Sequence, residues 1–402
     1  MHIRHIIAAL RKHRLATFLI AMEIALACAV LCNAVFIIAN HLSAMSVVTG
    51  VDEASLGEII VNGYDPKQED DLNARMLAGL AAIPGVESVH AISEVPFGAQ
   101  GIVAGAELDP KKCCTVMDFF MGDPGTIKAL GLQLVAGSMP DADDYQPVPA
   151  KDFLPPSARV LVSRALADHL WPGQNPLGKL FWAGKSQLRV IGVVANLMGS
   201  AVNGGGRAAW SAFVPALPGG PLGGIYLIRA NPRDLERVMT AARSAVATIA
   251  PDMVLDPVDS QSIPVLRSAH FATDRAMAGM LIGVIVALLG VTALGIVGLA
   301  SFWVAQRRKQ IGIRRAIGAT RGDILRYFQA ENFLIVTLGV ALGMVLAYAL
   351  NAALMKFYEL SHLPPYYLPI GALALWALGQ LAVLGPALRA SNVPPVVATR
   401  SV

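Results

Sequence analysis

Charge is scarce in this 402-residue chain: Asp, Glu, Lys and Arg supply 15% of it against 55% hydrophobic residues, a balance that fits a membrane protein. Cysteine is scarcer still, with four in all. Cys28 and Cys32 lie four apart on one face of an apolar stretch and read as buried small apolar groups. Cys113 and Cys114 are adjacent, where an ordinary disulfide is sterically awkward, and read as free thiols with a structural role. No disulfide scaffold is compelled. Catalytic motifs are lacking too. There is no His-Glu-x-x-His helix, and His90, His169 and His270 are too dispersed for a metal site. Gly178-Lys179 in NPLGKL lacks the Ser or Thr that follows the Lys of a phosphate loop. The chain is therefore expected not to be an enzyme and to bind no metal or cofactor itself.

What it has is long apolar runs. A bilayer crossing takes about 20 residues, and residues 15–38, 277–305, 333–350 and 367–388 each meet that need. The expected fold class is an α-helical membrane protein with four transmembrane helices and a large α+β extracytoplasmic domain inserted between helices 1 and 2. Along the chain the expected parts are an interfacial helix at 1–14, with Ile3, Ile6, Ile7 and Leu10 on one face, and helix 1 at 15–38. A two-lobed domain at 39–265 and a stalk with helix 2 at 266–305 follow. Next come a basic cytoplasmic segment at 306–332, helix 3 at 333–350, a short external loop at 351–366, helix 4 at 367–388 and a tail at 389–402. Residues 15–38 exceed a usual signal core and carry Glu23 and Asn33, so helix 1 is expected to be retained.

Short flanks set the orientation. Arg4, Arg11, Lys12 and Arg14 precede helix 1, and seven cations lie in 306–331. Arg389 and Arg400 follow helix 4, whereas the loop between helices 3 and 4 offers Lys356 balanced by Glu359. Both termini and the basic segment should be cytoplasmic, with the large domain outside. Inside that domain the patterns predict strand at 47–61, helix at 69–83 broken by Pro84-Gly85, and strand at 86–92. They continue with helix at 159–170, strands at 187–194 and 224–230, and helix at 233–249. From Gln261 a helical pattern runs through Phe271 and Arg275 into helix 2, predicting one uninterrupted helix.

The segment QRRKQIGIRRAIGATRGDILRYFQAE, 306–331, is the most informative. Gly318 interrupts it, and Thr320 with Asp323 has the spacing of a capping box that would start a new short helix at Arg321. Positive-inside anchoring alone accounts for the cations. The alternative makes Arg314 and Arg315 a docking surface with Ile313, Ile317 and Ile324 as its apolar contacts. In the spans, an unpaired Glu23 would be costly in hydrocarbon, so it is expected to pair, snorkel or protonate, or to serve a moving dimer interface. Gly279, Gly290, Gly295 and Gly298, and the GxxxG pair Gly339 and Gly343, suit close helix packing.

Together with GPALRASNVPPVVATR at 385–400, VLVSRALADHLWPGQNPLGKLF at 160–181 and LRVIGVVANLMG at 188–199, the IGIRRAIGATRGDILRYFQAE stretch at 311–331 resembles the FtsX/MacB family of ABC transporter permeases. The resemblance implies a bacterial inner-membrane protein with a MacB-like periplasmic core domain. It implies a second permease chain, identical or homologous, and a separate cytoplasmic ABC ATPase dimer holding ATP and Mg. Its coupling region maps to Arg307, Arg308, Ile311, Ile313, Arg314, Arg315, Ile317, Thr320, Asp323 and Ile324. Gln310 departs from the Glu that family members commonly place there. Export or extraction of a hydrophobic compound, peptide or envelope component is the implied function, with a periplasmic adaptor and outer-membrane channel as further partners and no nucleic acid. A non-transport regulator of an external enzyme, or a sensor whose basic segment meets only lipid, are the other classes.

Overall fold

The computed structural model describes residues 14–64, 68–108, 115–149, 152–200, 209–219, 222–358 and 362–393. The expected interfacial helix before Arg14, the Cys113–Cys114 pair, and Arg400 lie outside the described residues. The chain divides into two compact units. One gathers the described residues up to Met45 and from Thr273 onward, and the other is Ser46–Ala272.

The helical unit is built on four helices long and apolar enough to cross a membrane: α1 (Arg14–Met45), α7 (Ala272–Gln306), α9 (Arg321–Tyr358) and α10 (Tyr367–Ser391). Small residues decide how closely they pack. A Cβ on Gly339 of α9 would come within 2.7 Å of Ile24 and 2.9 Å of the Ala21 carbonyl. One on Gly343 would meet Cys28 at 2.4 Å and the Ala25 carbonyl at 2.7 Å. Backbones this close leave room for polar ties. Asn33 donates from Nδ2 to the carbonyls of Ala29 (2.9 Å) and Ala347 (3.1 Å), and Asn332 donates to Gly379 (2.8 Å). At the far end of α1, His41 Nδ1 lies 2.6 Å from Asp274 Oδ1 on α7.

In the second unit, one lobe is a four-stranded sheet made of β1 (Leu56–Asn62), β2 (Val86–Ala91), β10 (Ile225–Ala230) and β11 (Val254–Leu255) in the order β11-β1-β10-β2. Every adjacent pair is antiparallel. Helices α2 (Glu69–Ala81) and α5 (Leu235–Ile249) connect β1 to β2 and β10 to β11. This is the βαββαβ, 4-1-3-2 arrangement of a ferredoxin-like lobe, split open between its second and third strands. Ile59, Val61, Tyr226 and Ile228 alternate toward the helices and pack on Leu72, Met76, Val238 and Met239.

The second lobe fills that split. Between β2 and β10 run β3 (Val103–Glu107), β4 (Thr115–Gly122), α3 (Thr126–Leu130), β5 (Leu134–Gly137), β6 (Ser157–Ser163), α4 (Arg164–Leu170), β7 (Leu180–Ala183), β8 (Ser186–Val194) and β9 (Ser211–Pro215). The hydrogen-bonded order β5-β8-β6-β9-β4-β3-β7 is joined by a β7–β8 pairing, so six strands close into a small barrel with β5 added at β8. Phe119, Val160, Val162, Phe181 and Leu188 fill it. Closure leaves few free edges for this β-rich lobe.

Two expectations change. Residues 159–163 belong to strand β6, not to a helix, because Val160-Leu161-Val162 favours strand and sits between β8 and β9. Ser163 then caps the real helix by accepting the Leu166 N–H (3.2 Å). The uninterrupted helix expected from Gln261 is two helices, α6 (Ile263–His270) and α7, separated at Phe271 (φ −90°, ψ 13°). Phe271 is 3% exposed, its ring set edge-on to Phe97 with centroids 5.6 Å apart, so burial of the ring competes with helical continuity there.

Candidate functional site

The basic segment folds into an elbow. After α7 ends at Gln306, Arg307 leaves helical geometry (φ −97°, ψ 8°) and α8 (Arg308–Ala316) begins. Gly318 at φ +106° ends it in a Schellman closure. The Ala319 N–H donates to Arg314 O (3.0 Å) and the Gly318 N–H to Arg315 O (3.2 Å). Thr320 then caps the next helix. The Asp323 N–H donates to Thr320 Oγ1 (3.1 Å), and the Thr320 N–H donates to Asp323 Oδ2 (3.0 Å). The capping box read from the sequence is therefore present in the structure, but the helix it starts is not short. It is α9, running unbroken from the elbow into the third apolar span.

A packed interior holds the elbow. Ile311, Ile324 and Phe328 are buried with Ala387, Ala390 and Val393 from the end of α10 and the residues just after it. Arg307 places Nη1 2.9 Å and 2.8 Å from the two oxygens of Glu331, which is 1% exposed, and its guanidinium lies 5.5 Å from the Trp303 ring centroid. The guanidinium of Arg314 stands 4.9 Å from the Tyr327 ring centroid. Between these groups lies a groove of about 220 Å³ lined by Arg307, Gln310, Ile311, Arg314, Ile324, Tyr327 and Phe328.

The ten coupling-region candidates thus divide by environment. Ile311 and Ile324 are core residues, which places Ile324 away from the docking surface that its sequence position suggests. Arg307 is held in an internal ion pair, and Thr320 and Asp323 are helix caps. Arg308, Ile313, Arg314 and Ile317 face outward with Arg315 half-buried beside them, and Ile317 is 82% exposed. Ile313 and Ile317 are four apart, so one side of the short helix presents two large apolar groups among cations.

The intramembrane candidates have intrachain surroundings. Gly339 and Gly343 seat α9 on α1 of the same chain, as described above. Glu23 lies against Gly295 of α7, where an added Cβ would fall 2.8 Å from Glu23 Oε2. Its buried Oε1 has no hydrogen-bond partner among the described residues. Sequence reading missed Glu331, Trp303 and Tyr327 as parts of the elbow. Glu331 ends the basic run, but its partner 24 residues earlier emerges only when α9 folds back.

Comparison with known proteins gives a consistent picture. Residues 282–395 match the FtsX-like permease C-terminal family. MacB, a macrolide export ATP-binding/permease protein, from Rhodopseudomonas palustris (strain BisB18) is 25% identical over 97% of this chain and 58% of its own length. MacB 2 from Yersinia pestis bv. Antiqua (strain Antiqua) is 23% identical over 88% of this chain and 54% of its own. The relative from Bradyrhizobium diazoefficiens is 30% identical over 55% of this chain and 34% of its own. The chain therefore spans between a third and just over half the length of these curated relatives. Among solved structures, the periplasmic region of MacB from Actinobacillus actinomycetemcomitans aligns over 57% of this chain and 98% of its own, at 14% identity and a TM-score of 0.36.

Proposed function

We propose that the chain is a permease of the FtsX/MacB type and a component of an ABC transporter, as its similarity to that family supports, and that it transmits the work of a cytoplasmic ATPase dimer to the 46–272 domain. The elbow of α8 and the start of α9 is the docking element, and a second permease chain completes the membrane assembly. The basic elbow and both termini lie in the cytoplasm of a bacterial cell and the 46–272 domain in the periplasm, as the cation distribution favours. ATP and Mg sit on the ATPase, and the transmitted motion exports or extracts a hydrophobic compound, peptide or envelope component. A periplasmic adaptor and outer-membrane channel are compatible with that path.

The observation that carries this reading is the outward pair Ile313 and Ile317 among Arg308, Arg314 and Arg315, on a helix braced from behind by the Arg307–Glu331 pair. A lipid anchor needs the cations alone. An exposed Ile beside a rigid brace suits a protein socket that must push and pull. The continuity of α9 from cap to span supports the same reading, because displacement at the elbow reaches the membrane without a hinge.

The test reconstitutes the chain in lipid discs with an ABC ATPase recovered with it by gentle extraction, and compares binding and ATP turnover before and after Ile317→Asp and the pair Arg314→Glu, Arg315→Glu. Docking predicts at least about a tenfold weaker association for each, the loss expected of a central interface contact. Unchanged association and turnover would reject the elbow as the docking element.

A further inference from the structure

The junction between the two lobes of the 46–272 unit contains buried carboxyl groups with no ion-pair partner among the described residues. Glu58 lies on β1, the face of which turned away from α2 and α5 is covered by the turn 95–98; Glu94 lies just after β2, and Asp118 on β4 of the barrel. Glu58 and Glu94 are 0% exposed, Asp118 is 7% exposed, and neither oxygen of Glu58 or Glu94 meets the criteria for a hydrogen bond among the described residues. The acids are enclosed by backbone. A Cβ added to Gly98 would fall 3.1 Å from Glu58 Oε2, one on Gly101 2.2 Å from Glu94 Oε2, and one on Gly199 2.2 Å from Asp118 Cγ. These three glycines make room for the carboxyl groups.

Further negative charge faces the same place. Asp256 and Asp259, in the loop after β11, act on Glu58, and Ser200 Oγ stands beside Glu94. Of the nearby cations, Arg267 on α6 lies across the Phe97 ring and is paired with Glu53 at 2.7 Å, with His270 on the same ring. Arg243 on α5 donates to Ser260 O (3.0 Å) and Gln261 Oε1 (2.8 Å). The covering turn is strained as well: Phe97 is the one non-glycine residue at positive φ (65°) among the described residues. No group of three such side chains among the described residues is arranged to hold a metal ion.

We propose that Glu58, Glu94 and Asp118 form a proton-binding latch between the lobes, closed while the buried carboxyls carry protons and loosened when they ionise. Burial, with Asp259 and Asp256 adding to it, pushes Glu58 up to about 8, and burial beside Asp118 pushes Glu94 well above the usual carboxylate range. Burial also raises Asp118 to about 6. An ionised pair in this enclosure has no counter-charge among the described residues, and parting the turn 95–98 from β1 would let water reach it. Relief of the Phe97 backbone favours the same movement. The domain therefore changes its inter-lobe restraint across the pH range of a cell envelope.

The test is amide hydrogen exchange of residues 93–101 in the full chain in lipid discs, corrected for intrinsic exchange, between about pH 5.5 and pH 8.5. The latch predicts at least about a tenfold loss of protection at the alkaline end. The neutral replacements Glu58→Gln and Glu94→Gln together should keep the segment protected throughout. Asp259→Asn, which removes a negative charge that raises Glu58, should shrink the alkaline loss of protection. Flat protection in the native chain, or a Gln variant with the native response, would overturn it. Should the Gln variants not fold, Asp259→Asn decides: an alkaline loss of protection as large as the native one overturns the latch.

Discussion

Arg307 and Glu331 hold the elbow at its most enclosed point. Removing one member of a buried ion pair strands the other and costs about 3–5 kcal/mol, whereas replacing both with apolar groups is often tolerated. Glu331→Gln or Arg307→Ala should therefore lower the thermal midpoint of the chain in lipid discs markedly, and Arg307→Met with Glu331→Leu should recover most of the loss. Gly318 is a cleaner case. Nothing among the described residues lies within 4 Å of where its Cβ would be, so Gly318→Ala should cost about 1 kcal/mol or somewhat more through the left-handed backbone alone, and Gly318→Asn less. Glu58 adds a pH dependence whose sign is fixed. Its folded value near 8 exceeds its ordinary 4.5, so its contribution is complete below about pH 4.5 and is lost as pH rises through 8. Denaturant titrations followed by Trp171, Trp182 and Trp210 should show native stability falling over that window relative to Glu58→Gln. Of these residues, the sequence revealed Gly318, Thr320 and Asp323, because caps are local and obey a three-residue spacing. Glu331 and Glu58 were not legible, since each is defined by what folding brings against it.

Helices are where periodicity and tertiary packing agree or part. The amphipathic α2 and α5 were readable, and so were the four apolar spans. The β6 strand was not, because Ala and Leu beyond Ser163 extend a helical pattern backward over Val160–Val162, and only pairing with β8 and β9 decides against it. The ferredoxin-like order was equally hidden, since its central neighbours β1 and β10 are separated by the whole inserted barrel. Among the spans, the glycines of α9 differ from those of α7. Gly343 touches Cys28 and Ala25, while nothing among the described residues lies within 4 Å of a Cβ at Gly298. Gly343→Val should overpack the α1–α9 contact and destabilise the chain by about 1–3 kcal/mol. Gly298→Ala should leave the stability of the isolated chain unchanged, and thermal unfolding of the two variants side by side checks the contrast.

At the scale of the whole molecule, the proposed transmission runs between the elbow and the 46–272 domain, which α7 joins in sequence. The proposed transmission needs no catalytic residue, only parts stiff enough to carry displacement. The braced elbow, the unbroken α9 and the glycine-seated α1–α9 pair supply that stiffness. The most direct measurement places spectroscopic labels on exposed positions of the 46–272 domain, in the permease assembled with its ATPase in lipid discs. Distances between the two permease chains are then read with and without ATP held in the hydrolysis-arrested state. Transmission predicts an ATP-dependent shift in those distances that disappears with Ile317→Asp. Distances that ignore nucleotide, or that respond equally in the Ile317→Asp assembly, would contradict it.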